Sequence, residues 1–93
     1  MSELERETFR DLLVTLSPLQ RHLLQILQEG KSERDILVET TETPRTTVYD
    51  NLSRLERLNL VKRHTEPTGN RGRPTVYFEL RKLPEFMLEM IHQ

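Results

Sequence analysis

The sequence predicts an α+β fold, mostly α, with elements in the order helix, helix, helix, helix, strand, strand, helix. Three observations predict it. Apolar residues recur three and four apart in four successive runs before Asn59, the period of helices with one face turned inward. Serine, threonine and proline stand at the heads of those runs, where helix N-termini need side-chain oxygens and tolerate a missing N–H. After Asn59 the period shortens to two, with Val76, Phe78 and Leu80 alternating beyond a segment rich in glycine and proline.

Ser2 opens the first helix: its hydroxyl is placed to cap and Glu5 to reach back, with Leu4, Phe9, Leu12, Leu13 and Leu16 following at helical spacing. Ser17-Pro18-Leu19-Gln20 starts the second as cap, first-turn proline and capping-box partner. Leu19, Leu23, Leu24, Ile26 and Leu27 form one broad stripe, and Gly30 stands where a left-handed residue stops the helix. A short third helix is expected to start at Ser32, with Asp35 three residues on, and to bury Ile36, Leu37 and Val38. Thr40-Thr41-Glu42 reads as the turn. Thr43-Pro44 repeats the cap-and-proline signature and opens the fourth helix, Pro44 to Leu58, with Val48, Leu52, Leu55 and Leu58 inward. Asn59 ends it, asparagine being second to glycine in the left-handed position. Strands are expected over Leu60 to Glu66 and Thr75 to Leu80, joined by the loop Pro67-Thr68-Gly69-Asn70-Arg71-Gly72-Arg73-Pro74. Pro84 opens a last helix carrying Phe86, Met87, Leu88, Met90 and Ile91.

At 93 residues the chain is expected to form a single domain, 1–93. No run approaches the about 18 apolar residues of a membrane span, and the acidic start lacks the layout of a secretory signal. With no cysteine there are no disulfides, thiolate metal sites or thiol nucleophiles, and a cytoplasmic location is expected. The formal net charge of −1 conceals a segregation: residues 1–44 carry 5 Lys and Arg against 9 Asp and Glu, residues 45–82 carry 9 against 4. Positive charge therefore collects on the fourth helix and the hairpin, as a phosphate backbone would require.

With Val48, Leu52 and Leu55 inward, a step of about 100° per residue sends Thr46, Asp50, Ser53 and Arg57 outward, with Tyr49 and Arg54 on the flanks. Arg45, Thr46 and Thr47 occupy the first turn, where free N–H groups favour an anion. Arginine reads guanine with two donors, threonine methyls touch thymine and aspartate accepts from cytosine. Asp50 repels phosphate, so it belongs at a base edge or paired with Arg54 one turn on. At the hairpin tip Asn70, Arg71, Gly72 and Arg73 are the candidate contacts, two guanidinium groups flanking a glycine.

From Ser32 to Leu80 the chain resembles winged helix-turn-helix transcription regulators, those grouped around the MarR and ArsR types and their archaeal relatives. The residues that carry the likeness are Ile36, then Thr43-Pro44-Arg45-Thr46-Thr47-Val48-Tyr49, Leu52, Leu55, Leu58-Asn59-Leu60-Val61, and Gly72-Arg73-Pro74 followed by Val76-Tyr77. Those regulators usually have glycine where Asn59 stands. The resemblance implies sequence-specific binding of double-stranded DNA by a homodimer, with the fourth helix in the major groove and the hairpin, or wing, along the minor groove or backbone. Arg71-Gly72-Arg73-Pro74 also looks like the core of an AT-hook, and a narrow A·T groove attracts an inserted arginine electrostatically.

The outer helices, residues 1–16 and 84–93, hold more apolar surface than a winged core needs; they either pack within the chain or form a two-fold interface. Two reading helices about 34 Å apart need such an interface, which favours the homodimer. His22, His64 and His92 match no ligand spacing, Ser17, Ser32 and Thr43 are accounted for as caps, and no phosphate-cradling glycine loop is present. No enzyme activity, cofactor, metal, membrane partner or small-molecule effector is expected. A protein-docking winged module and an RNA-binding one stay open as alternatives; the first would show apolar anchors on the fourth helix, where Tyr49 is the one candidate.

Overall fold

The computed structural model describes residues 2–67 and 72–92. Its elements are helices α1 (Glu3–Thr15), α2 (Pro18–Gln28), α3 (Arg34–Thr41), α4 (Arg45–Arg57) and α5 (Glu85–His92), with strands β1 (Ser32–Glu33), β2 (Val61–Glu66) and β3 (Thr75–Leu80). The strands form one antiparallel sheet in the order β1-β3-β2.

Local chemistry explains most boundaries. Ser2 Oγ accepts from the Glu5 N–H at 3.2 Å, one half of the expected capping box. Around Ser17 the box is complete: Ser17 Oγ accepts from the Gln20 N–H at 3.2 Å, and Gln20 Oε1 accepts from the Ser17 N–H at 3.0 Å. Gly30 has φ 145, a backbone that side-chain-bearing residues rarely adopt, and its N–H closes on the Leu27 carbonyl. Asn59 has φ 61, as its place in the sequence predicts. The Leu60 N–H reaches the Leu55 carbonyl at 3.1 Å and the Asn59 N–H reaches Glu56 at 3.0 Å, which together make a Schellman motif.

Several expectations fail, each for a physical reason. Ser32 does not cap a helix: it pairs with Phe78, and Glu33 pairs with Tyr77, so a third strand precedes α3 and Glu33 takes the N-cap position without a side-chain bond. Thr43 does not cap either. Its hydroxyl donates back to the Thr41 carbonyl at 2.9 Å, and Pro44, one residue later, holds the N-cap position of α4. The third helix runs on through Thr41 and ends on Glu42, with φ 50, instead of turning at Thr40. Of the apolar residues expected inside, Leu4 (71 %), Ile36 (46 %) and Leu58 (37 %) are exposed. Leu4 and Leu58 lie at element ends, and Ile36 lies on a short helix whose Leu37 and Val38 already turn to the core.

The core gathers Phe9, Leu13 and Leu16 from the N-terminal end, Leu23, Leu24 and Leu27 of α2, Leu37, the α4 stripe Val48, Leu52 and Leu55, then Leu60, Val61, Phe78 and Ile91. Both outer helices thus give residues to the chain's own core. Phe9 of α1 meets Phe86 of α5 edge to face at 6.4 Å between ring centres, and Arg6 covers the Phe86 ring at 5.4 Å. Gln25 and Gln28 of α2 donate to the carbonyls of Ile91 and Leu88, tying down the end of α5. No helix among the described residues is long and apolar enough to cross a membrane.

The Asn59 geometry yields a test. Asn59→Ala should cost about 1 kcal/mol, because alanine disfavours the left-handed region, whereas Asn59→Gly should cost nothing or stabilise. Urea titration of the three proteins measures both; equal destabilisation by the two substitutions would contradict the assigned C-cap.

Candidate nucleic-acid interface

The direction of α4 is set from both sides. Its inner stripe is sealed in the core, with Val48, Leu52 and Leu55 fully buried. A polar chain fixes it laterally to α2: buried Gln20 donates through Nε2 to Asn51 Oδ1 at 2.8 Å, and Asn51 Nδ2 donates to the Thr47 carbonyl at 2.7 Å. One glutamine therefore closes the α2 capping box and holds α4. Neither Gln20's second role nor Asn51's has any local sequence signal, since the two lie 31 positions apart.

Of the residues expected on the outer face, Arg45, Thr46, Thr47, Asp50 and Arg54 are exposed, and Tyr49 and Ser53 are half-buried. Of the two places open to Asp50, the pair with Arg54 does not form: among the described residues Asp50 has no ion pair. No side chain caps the start of α4, so the N–H groups of its first turn stay without a side-chain acceptor.

The first turn is tied to α3 by a cluster that the sequence reading missed. Tyr49 donates its hydroxyl hydrogen to Asp35 Oδ1 at 2.7 Å, and Arg45 Nη1 donates to both Asp35 Oδ1 and the Tyr49 hydroxyl at 3.2 Å. The Arg34 guanidinium lies over the Tyr49 ring at 4.0 Å. Ten positions separate Asp35 from Arg45, too far for a helical pair, and only the turn between α3 and α4 brings them together.

The wing comes to the same side. Arg73 and Pro74, just before β3, line a cleft of about 210 Å³ with Glu33, Arg34, Asp35 and Arg45. Gly72 and Arg73 are exposed at the described end of the loop; Asn70 and Arg71 lie outside the described residues. Lys31 braces the loop end of the hairpin, bonding Glu66 Oε1 at 2.7 Å and lying over the Tyr77 ring at 4.8 Å. That hydrogen bond holds the Glu66 carboxyl below, and the Lys31 ammonium above, its ordinary value. By linkage the Glu66 part of the brace is present above the ordinary carboxylate range and fades as pH falls through the folded value. The Lys31 part is present below the ordinary lysine value and fades as pH rises beyond it. Both groups are exposed, so the brace is weak.

The histidines remain apart from this face. His64 packs beside Tyr77, with ring centres 5.8 Å apart, while His22 and His92 line an open cleft with Glu29 on the α2–α5 side. Among the described residues no group of three or more His, Cys, Asp or Glu side chains is arranged to hold a metal.

A family model described as "Sugar-specific transcriptional regulator TrmB" matches residues 20–83, more than half of the chain. The chain belongs to the TrmB family. The TrmB match runs from Gln20 in α2 through Leu83 after β3, and so takes in α3, α4 and the wing. Among solved structures, the adhesin competence repressor AdcR from Streptococcus pyogenes superposes with a TM-score of 0.70 at 20% identity, covering 98% of this chain and 72% of that one. Lactococcus lactis ZitR, a zinc-responsive MarR family member, gives 0.68 at 20% identity over 84% of this chain and 50% of that one. Wild-type ZitR in complex with DNA gives 0.64 at 20% identity, with coverages of 84% and 49%. At such identities the likeness establishes the winged-helix fold. The chain spans about half the length of the ZitR chains it matches. No curated protein matches it.

The Gln20 bridge predicts a cost in stability. Gln20→Leu leaves the Ser17 N–H and Asn51 Oδ1 without their partner and should destabilise by about 1–2 kcal/mol. A chemical-denaturation midpoint unchanged from the parent would show that the bridge does not hold α4.

Proposed function

We propose that this TrmB-family chain binds double-stranded DNA sequence-specifically and regulates transcription, with α4 in the major groove and the wing in or along the minor groove. The observation that carries the reading is the shared cleft: Arg45 of the reading helix and Arg73 of the wing line one hollow, so both elements face the same way. A rod of phosphates approaching that side meets Arg34, Arg45 and Arg73 together, while the acidic first half of the chain lies mostly on other elements.

The contacts divide by chemistry. Arg45, Thr46, Thr47, Tyr49, Asp50, Ser53 and Arg54 form the reading surface, Asp50 serving a base edge because it has no arginine partner. Asn70, Arg71, Gly72 and Arg73 form the wing contacts, with Arg73 in a narrow groove where negative potential is concentrated. The neighbour solved with DNA, ZitR, supports the duplex partner by its fold. The protein-docking alternative lacks its anchor, since the Tyr49 ring is covered by Arg34 and its hydroxyl is engaged by Asp35.

The reading takes the molecule as one domain over residues 1–93, without enzymatic activity or cofactor, in a cytoplasmic, nucleoid-associated location and with no small-molecule effector assigned to these residues. It also takes the working form as a homodimer, because one winged domain covers too little duplex for strong discrimination. Leu4 and Val14, exposed on α1, with the partly buried Met87 and Met90 of α5, are the surface left for a two-fold contact once Phe9, Leu13 and Ile91 are taken by the core.

Binding to a random duplex should weaken steeply as salt rises, and Arg45→Ala or Arg73→Ala should each lower the slope of log affinity against log salt by about 1. Arg73→Ala should lose most affinity on A·T-rich flanks, and Arg45→Ala should alter the preferred half-site. Gel shifts and selection from random duplexes measure these; unchanged affinity in both variants would remove the two residues from the DNA face. Light scattering should give a dimer, and a monomer at tens of micromolar would overturn the two-fold arrangement.

A further inference from the structure

We propose that Asp35, which lies outside the reading helix, is a specificity-determining positioning residue that clamps Arg45 through Tyr49 so that one edge of the guanidinium is offered to the duplex. This rests on the DNA-binding reading above and assigns a role to a residue that reading leaves out.

The clamp is a closed ring of three hydrogen bonds. Tyr49 has a single hydroxyl hydrogen and gives it to Asp35 Oδ1 at 2.7 Å, which leaves its lone pairs for Arg45. Arg45 Nη1 donates to both Asp35 Oδ1 and the Tyr49 hydroxyl oxygen, each at 3.2 Å, and these acceptors are themselves 2.7 Å apart, close enough to share one hydrogen. The tyrosine ring is itself held by Arg34, whose guanidinium stacks on it at 4.0 Å. The Nε and Nη2 of Arg45 make no hydrogen bond among the described residues. Those two groups form a parallel pair of donors, the fork that fits guanine O6 and N7 or two phosphate oxygens.

Why this amounts to positioning, and not merely to a surface charge pair, follows from exposure. The Arg45 and Asp35 side chains are 62% and 63% exposed, so their attraction contributes little to folding. What the ring does is remove rotamers from a long side chain. A guanine edge demands one orientation of the fork, while a phosphate accepts many. Loss of the clamp therefore falls on base reading and leaves phosphate contact intact. The carboxylate also sits among Arg34, Arg45 and Arg73, beside Glu33, and moderates their pull on any phosphate. That moderation bears on selected and unselected duplexes alike, so the clamp alone changes their ratio.

The experiment compares two short duplexes, one recovered from a random pool by the wild-type chain and one of unselected sequence. Asp35→Asn should bind the selected duplex about three- to tenfold more weakly and the unselected one as tightly or more tightly, so that their ratio falls. Tyr49→Phe, which removes the relay hydroxyl and keeps the ring, should lower the ratio in the same sense and carries the test if Asp35→Asn does not fold. In an Arg45→Ala background Asp35→Asn should leave the ratio unchanged, because its effect passes through that side chain. Equal shifts on both duplexes, an unchanged ratio, or the same loss with and without Arg45 would overturn the role. A wild-type chain that binds no duplex defeats the DNA-binding reading itself; one that binds and discriminates, with Asp35→Asn discriminating equally, defeats only the clamp.

Discussion

Everything that α4 turns outward is decided by what it turns inward. Val48, Leu52 and Leu55 are fully buried against a core that also takes Leu23, Leu24, Leu37, Val61 and Phe78. Advancing the helix by one residue, about 100°, would bring Tyr49, Ser53 and Glu56 to the core and carry the apolar stripe into solvent. At about 1.5–3 kcal/mol for each large apolar side chain, that loss is comparable with the whole stability of a small domain, about 5–15 kcal/mol. The aim of Arg45, Thr46 and Asp50 is thus a consequence of packing, and the reading surface can vary in composition without the helix losing its place.

Helix boundaries governed by neighbours within a turn were legible in the sequence. The Ser17-Pro18-Gln20 box and the left-handed Asn59 both follow from contacts spanning three to five residues, where residue type determines geometry. Ser32 and Thr43 looked like caps by the same rule and are not. Ser32 finds Phe78 through a pairing that spans about half of the chain, and a strand of two residues has no period to betray it. Thr43 loses the N-cap position to Pro44, whose carbonyl accepts the first helical bond from the Val48 N–H. The outer face of α4 was readable because burial of its inner stripe is a local pattern. The bonds of Asp35 to Arg45 and Tyr49, the Arg34–Tyr49 contact and the Gln20–Asn51 bridge were not, because each acts across a turn or between helices.

The charge of the whole molecule hides its polarity. A net −1 gives no hint of a phosphate partner, yet the basic excess lies on α4 and the wing, and most of the acids near it are engaged. Asp35 holds Arg45, Glu56 pairs with Arg63, Glu66 with Lys31 and Glu79 with Lys62. These pairs are exposed and contribute little to stability. Their effect is to give direction to long cationic side chains and to offset carboxylates that would repel the duplex proposed to approach this surface. Asp50 stands apart as a carboxylate of that surface with no ion pair among the described residues, which under the proposed function suits it to an exposed cytosine amine better than to a phosphate.

Wing and positioning helix form one mechanical unit, and the unexpected strand is the reason. Ser32 and Glu33 pair with Phe78 and Tyr77 in β3, and the chain passes straight from Glu33 into Arg34 and Asp35 at the head of α3. The backbone that anchors the wing's base is therefore covalently continuous with the two residues that hold Tyr49 and Arg45. Lys31, one residue before the pairing, reaches across to Glu66 on β2 and closes the other side of the hairpin. A wing attached only through its own strands would be free to swing relative to α4. Tied through β1, its strand β3 is held beside the head of α3, and Arg73 and Arg45 line one cleft with Arg34 and Asp35.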